Sequence, residues 1–195
     1  MSAVILAGGR SSRFGRDKLA ESIDGRPLLS RAIEAVRPFA TEILVIAAPG
    51  TVPVLRAGVT LVHDPVAFEG PLVGLLAGLG AAREPVALVV GGDMPTLVGA
   101  VLEAMLVELD APGAFEAVAF EAVVLEHDGR ARPLPMVLRR EPALAAADRL
   151  IGAGERRLRA LGEALVTRVL PETIWRGVDP DGLTLRDIDT PADLA

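Results

Sequence analysis

The segment Leu6-Ala7-Gly8-Gly9-Arg10-Ser11-Ser12-Arg13-Phe14-Gly15-Arg16-Asp17-Lys18 couples glycines to a dense run of cations. Residues 10 to 18 hold four basic side chains and one acid, a local +3 in a chain of formal net charge −6. Glycines let the backbone turn sharply and bring bare N–H groups up to a ligand. Together with the cations they suit an anion, most simply a polyphosphate. The spacing matches neither Gly-x-x-x-x-Gly-Lys-Ser/Thr nor Gly-x-Gly-x-x-Gly, so a glycine-rich loop with solvated charges stays open as the alternative. Lys18 is the single lysine of the chain, against 20 basic residues in all.

Four further groups of residues have chemistry-bearing types. Gly91-Gly92-Asp93-Met94-Pro95 places an acid where it can hold Mg²⁺ against phosphate oxygens, the alternative being a cap on a following helix. Asp64-Pro65, followed by Gly70-Pro71-Leu72-Val73-Gly74-Leu75, can bring a helix N-terminus close to a ligand or serve tight helix–sheet packing. Asp187 and Asp189 have the alternate spacing that puts two carboxylates on one strand face, where they can complete a metal site with Asp93 or act in turns and caps. Arg156 and Arg157 are candidates for binding an anionic second substrate, or form a solvated helix face. His63, His127 and Trp175 read as structural residues.

These residues need a scaffold that gathers strand ends. Val-, Ile- and Leu-rich runs at Ala3–Ala7, Ile43–Ala48, Val59–Val62 and Val86–Gly91 suit parallel strands buried on both faces. Between them Pro27–Arg37, Pro71–Arg83 and Thr96–Leu109 predict helices, the first two opening on proline. The alternation implies an α/β domain: a Rossmann-like, mostly parallel sheet with helices on both faces. Ligands of such sheets bind beyond the carboxyl ends of the strands. From Phe115 the texture changes. Phe115–Glu126 and Pro133–Arg139 flank a turn at Asp128-Gly129, predicting a small hairpin excursion in the C-terminal part. Helices are expected over Glu141–Ile151 and Gly154–Leu165, and strands over Val166–Leu170 and Leu183–Ile188.

Composition narrows the function classes. A chain of 195 residues, 51% hydrophobic, is long enough for one well-buried domain without staples. With no Cys, a disulfide scaffold, a thiolate zinc site and a Cys nucleophile are excluded. The two histidines lie far apart in sequence, which disfavours a His metal cluster and a Ser-His-Asp arrangement. The acidic balance argues against nucleic acid as a partner, and no apolar run suits a membrane span. The start Met1–Leu6 reads as strand rather than signal peptide, so a cytoplasmic protein is expected.

Leu6-Ala7-Gly8-Gly9, Arg13, Gly15 and Asp17-Lys18, with Asp24-Gly25-Arg26-Pro27-Leu28 behind them, resemble the nucleotidyltransferase superfamily that activates sugars and cofactors. Gly70–Leu75 and Gly154-Glu155-Arg156-Arg157-Leu158 make the molybdenum cofactor guanylyltransferases the nearest likeness within it. The likeness runs through Asp64, Asp93-Met94-Pro95, residues 127–139 and Asp189–Leu194, in order along the chain. It implies a nucleotide-diphospho-sugar-transferase-like fold and one catalytic domain over 1–195. Residues 1–110 would bind nucleotide and 111–195 the acceptor. It further implies GTP and molybdopterin as substrates, Mg²⁺ as cofactor, and other cofactor-biosynthesis or molybdoenzyme-maturation proteins as partners. By the same resemblance Leu6, Ala7, Gly8 and Gly9 would line the nucleotide through their backbone and Asp64 would line its pocket. Arg13 and Lys18 would face the triphosphate, and Asp93, with Asp189, would ligate the metal. Ala48 stands where that family has Asn near the base, and Asp187-Ile188-Asp189 where it has Asn-x-Asn, as in the cytidylyltransferases that also act on molybdopterin. CTP as donor, a sugar or alcohol phosphate as acceptor, and a non-catalytic nucleotide-binding module therefore stay open.

Overall fold

The computed structural model describes residues 1–8, 19, 21–64, 69–111, 119–188 and 190–194. Gly9, Arg13, Lys18 and Asp189 lie outside them.

Seven strands form the main sheet, in the order β5-β4-β1-β6-β8-β7-β9. β1 (Ser2–Leu6), β4 (Glu42–Ala47), β5 (Val59–His63) and β6 (Val86–Gly91) run parallel. They lie within a residue or so of their expected bounds, because continuous β-branched and aliphatic runs have no exposed face to spare. Ala3, Ile5, Ile43, Val45, Leu88 and Val90 face one core, packed by α1 (Leu28–Val36) and α3 (Gly99–Asp110). Val4, Leu44, Ile46, Ala87 and Val89 face the other, under α2 (Pro71–Ala81), α4 (Arg140–Gly152) and α5 (Leu158–Ala164). The period-two alternation along each strand thus serves two helical layers.

The expected hairpin is present as β7 (Ala122–His127) and β8 (Arg130–Arg139), closed by Asp128 and Gly129 at φ 51° and 69°. Such left-handed pairs match the twist of flanking strands. Both strands are built into the main sheet. β8 pairs antiparallel with β6, and β9 (Thr167–Leu170) adds parallel to β7. A second Asp-Gly turn, at Asp24-Gly25, closes a two-stranded ribbon of β2 (Ser22–Ile23) and β3 (Arg26–Pro27), which the sequence reading did not anticipate. A short α6 (Glu172–Trp175) follows β9.

Two expectations are corrected. Residues 183–188 make no strand: Leu183–Leu185 form a 3₁₀ turn, and Asp187 therefore has no strand face to share with residue 189. The cause is Asp179, whose carboxylate accepts the Leu183 and Thr184 N–H groups at 2.9 and 2.8 Å and curls the chain. The helix expected from Thr96 begins at Gly99 after Val98, so Asp93 does not cap it. Thr96 turns its hydroxyl to the Leu183 carbonyl instead, at 2.8 Å.

Small residues bring α2 down onto the sheet. A Cβ at Gly78 would lie 2.7 Å from Val4 Cγ1 and 2.9 Å from Ile46 Cδ1, whereas one at Gly80 meets nothing within 4 Å. Gly78→Ala is therefore expected to destabilise by about 1–3 kcal/mol through overpacking. Gly80→Ala, on the exposed side of the same helix, should stabilise by up to about 1 kcal/mol. Chemical denaturation of the two variants checks the opposed signs.

Candidate active site

The parallel strands deliver their following loops to one edge. Leu6 stands opposite both Ile46 and Gly91, and Ala47 opposite His63. Hydrogen bonds continue beyond the strands: Ala7 N–H to Ile46 O (2.8 Å), Gly92 N–H to Leu6 O (2.9 Å) and Asp64 N–H to Ala47 O (2.9 Å). Leu6, Ala7, Gly8, Ala48, Asp64 and Asp93 therefore emerge at one edge, the carboxyl ends of the four parallel strands, where such sheets bind ligands. Leu6 and Ala7 are half-buried and Gly8 is exposed.

Asp64 leans on α2. A Cβ at Gly74 would come within 3.4 Å of Asp64 Oδ2, so the glycine leaves just enough room for this carboxylate. Asp93 sits back over Gly91, whose absent side chain leaves space that Asp93 Oδ1 occupies. Its carbonyl accepts the N–H of buried Ile188 at 3.0 Å. That bond brings residues 187–188 to Asp93 although no strand pairing does so. The hard carboxylate oxygens of Asp93 suit a divalent cation such as Mg²⁺.

The C-terminal stretch is stitched to the Asp93 loop at further points. Thr184, fully buried, accepts the Val98 N–H at 3.2 Å, while Thr96 holds Leu183. Asp179, 3% exposed, organises the whole turn. Sequence reading missed this strap. Its one visible signal is the turn-forming run Asp179-Pro180-Asp181-Gly182.

On the other side of the edge, the loop between α4 and α5 docks on the start of α2. The Leu72 N–H, unpaired within its own helix turn, donates to Arg156 O at 3.2 Å. The approach is so close that a Cβ at Gly70 would fall 2.9 Å from Arg156 Cβ, and Gly70 has φ 109°, which favours glycine in any case. Arg156 lies at the ligand edge, its Nη1 donating to Ile151 O and Glu155 O, both at 2.9 Å. Arg157, also at the edge, is bound to Glu155 by contacts of 2.6 and 3.0 Å. The Arg157 guanidinium and the backbone N–H groups of residues 156 and 157 hold the Glu155 carboxyl far below the usual carboxylate range.

The structural reading of the remaining residues stands. Trp175 is buried and donates Nε1–H to Glu126 O at 2.8 Å. His127, Asp128 and Glu172 approach one another within 4.8 Å. Arg176, 2.6 Å from Glu172, already neutralises that acid and is the first cause of its pKa falling from 4.5 to about 2. His63 Nε2 lies 3.1 Å from Thr51 O.

Residues 3–169, most of the edge just described, match the MobA-like NTP transferase domain. The chain belongs to that family. A probable molybdenum cofactor guanylyltransferase of Chloroflexus aggregans is 37% identical over all of this chain and 91% of the relative. A molybdenum cofactor guanylyltransferase of Desulfosudis oleivorans is 31% identical over all of this chain and 92% of its own length. The fold recurs in molybdopterin-guanine dinucleotide biosynthesis protein A of Archaeoglobus fulgidus, with TM-score 0.77 at 23% identity over 100% of this chain and 95% of that one. Like its family, this chain is a nucleotidyltransferase.

Removing the Asp179 carboxylate strands the N–H groups of Leu183 and Thr184, the latter fully buried. Asp179→Ala is expected to cost about 1–3 kcal/mol. Thr96→Val, which deletes one exposed bond of the strap, should cost less than about 1 kcal/mol. Urea unfolding of both variants checks the ranking.

Proposed function

We propose that this chain transfers GMP from GTP to the phosphate of molybdopterin. A phosphate oxygen of the acceptor attacks the α-phosphorus of GTP. The bond from the α-phosphorus to the bridging oxygen breaks, and pyrophosphate leaves with the electron pair. The full-length match to guanylyltransferase relatives carries this reading. The emergence of Gly8 and Asp93 at one edge, from β1 and β6, supports it.

A phosphate monoester is already ionised near neutral pH, so no general base is required. What the chain must supply is alignment of two polyanions and compensation of their charge. Leu6, Ala7 and Gly8 offer backbone groups to the nucleoside, with Gly9 continuing the loop, and Asp64 borders the nucleotide pocket. Arg13 and Lys18 are the proposed cations for the triphosphate. Asp93 would hold Mg²⁺, aided by Asp187 or Asp189. That ion, when bound, neutralises charge on the α-phosphate and the leaving group. Residues 1–110 would serve the nucleotide and 111–195 the acceptor. Because GTP is drawn from the cytoplasm, the reaction is assigned there.

One observation supports a second reading. Ala48 and Asp187-Ile188-Asp189 stand where guanylyltransferases carry Asn, which favours CTP as donor. A thermal-shift panel of GTP, CTP, UTP and ATP with Mg²⁺ separates the two. The preferred nucleotide at about 100 times its Kd should stabilise by about 2.7 kcal/mol. A larger shift with CTP than with GTP would replace the guanylyl assignment.

Asp93→Ala is expected to lower pyrophosphate release by more than about a hundredfold while the fold persists. Near-normal Mg²⁺-dependent turnover in that variant would remove Asp93 from the metal site. Lys18→Ala should chiefly lower kcat, and an unchanged kcat would strike Lys18 from the catalytic residues.

A further inference from the structure

The sheet is not covered by helices to its end. On the face that carries α2, α4 and α5, a cavity of about 520 Å³ opens beside α5 over β8, β7 and β9. Val124, Met136 and Val169 line it, with Arg130 and Arg132 from β8 and Arg159 from α5. Its volume is that of a site for a drug-sized organic molecule. Among the described residues the side chains of Arg130 and Arg132 make no hydrogen bond or ion pair, whereas Arg157 is held by Glu155 and Arg159 by Glu163 at 3.0 Å. Two free guanidinium groups at one end of an apolar cavity complement an anion carried on an apolar or planar body.

Register places that charged end. Met136 stands opposite Val89 of β6, and β8 runs antiparallel to β6. After a bulge in β8, Ala131 stands opposite Glu126, so Arg130 and Arg132 lie toward the carboxyl end of β7, which runs parallel to β6. That is the edge from which Asp93 emerges, and β8 is the strand beside β6. The cavity thus turns its Arg130–Arg132 end toward the ligand edge, and Val124, Met136 and Val169 supply its apolar wall beside Glu163 and Thr167.

We propose that this cavity is the acceptor subsite: the fused heterocycle of the acceptor lies against Val124, Met136 and Val169, and Arg130 and Arg132 receive its phosphate beside Asp93. The proposal rests on the nucleotidyl-transfer reading and gives the acceptor a place other than Arg157. A phosphate held by Arg130 and Arg132 displaces no carboxylate, whereas one held by Arg157 must first release Glu155.

Gly162 supplies a clean test. It lies within α5 and lines the cavity, and a Cβ there would stand 3.9 Å from Met136 Cε, an ordinary contact. Gly162→Leu fills the cavity from a helical position that gains from losing glycine. In a pyrophosphate-release assay with GTP and molybdenum-loaded molybdopterin, Gly162→Leu should raise the acceptor KM at least about tenfold without lowering Tm. Arg132→Ala and Arg130→Ala should each raise it several-fold, with the GTP KM unchanged and Arg157→Ala having the smaller effect. Binding of a pterin bearing a phosphate monoester, followed by its fluorescence without GTP, reads the cavity even if guanylyl transfer itself fails in the wild-type protein. Weaker pterin binding in Gly162→Leu supports the subsite. Equal binding by wild type and Gly162→Leu, an acceptor KM raised only by Arg157→Ala, or a wild-type dimer turned to monomer by Gly162→Leu would each overturn it.

Discussion

β1 exchanges backbone hydrogen bonds with β4 on one side and β6 on the other, with Leu6 level with Ile46 and Gly91. Its residues Ala3, Val4 and Ile5 are fully buried, so neither face can rotate outward. A slip of one residue would exchange the two core faces along the whole strand. The register is therefore set by burial, and with it the relative height of the Gly8 loop and Asp93. Their common position follows from apolar packing some distance below them, continued upward by the bonds from Ala7 to Ile46 and from Gly92 to Leu6.

The second half of the chain is joined to this frame through the sheet. β8 pairs with β6 and so extends the same sheet. Arg156 O closes on the first turn of α2, and the strap from Asp179 to Ile188 returns to the Asp93 loop. Both returns rely on backbone atoms, which any sequence provides, but each is permitted by one specialised residue. Gly70 lets the Arg156 backbone approach, and Asp179 curls the strap by taking two N–H groups. The two halves of the chain are in this way packed against each other, which suits a transfer whose difficulty is holding two anions in line.

What was legible in the sequence followed the strength of local constraint. The four parallel strands could be read because continuous apolar runs leave few other structures, and the Asp128-Gly129 turn because its backbone demands such residues. Residues 183–188 misled. Alternating Leu183, Leu185 and Asp187 look like a strand, yet the conformation is dictated by a buried carboxylate four residues upstream of Leu183, a side-chain effect that periodicity does not encode. The same limit applies to Thr96: a good helix-start residue was committed elsewhere, to Leu183 O, by a contact 87 positions away. Asp64 and Asp93 were identified by type and by their place after a strand. Their neighbours Gly74 and Gly91 read only as turn or packing residues, although each leaves space for a carboxylate.

Charge distribution carries the reading one step further than motif spacing does. A chain of net charge −6 must concentrate cations wherever polyanions meet it, and formal charge along the sequence points to residues 10–18 and to Arg156-Arg157. In the folded chain only unspent charge counts. Arg139 is bound to Asp110, Arg168 to Glu108, Arg176 to Glu172 and Arg157 to Glu155. An incoming phosphate gains little from a guanidinium already satisfied by a carboxylate, since it must first displace that partner and leave it uncompensated. Arg130 and Arg132 carry no such debt, and they stand on the strand next to β6. The second cationic centre of the protein is therefore better sought on β8 than in the arginine pair that the sequence displays most openly.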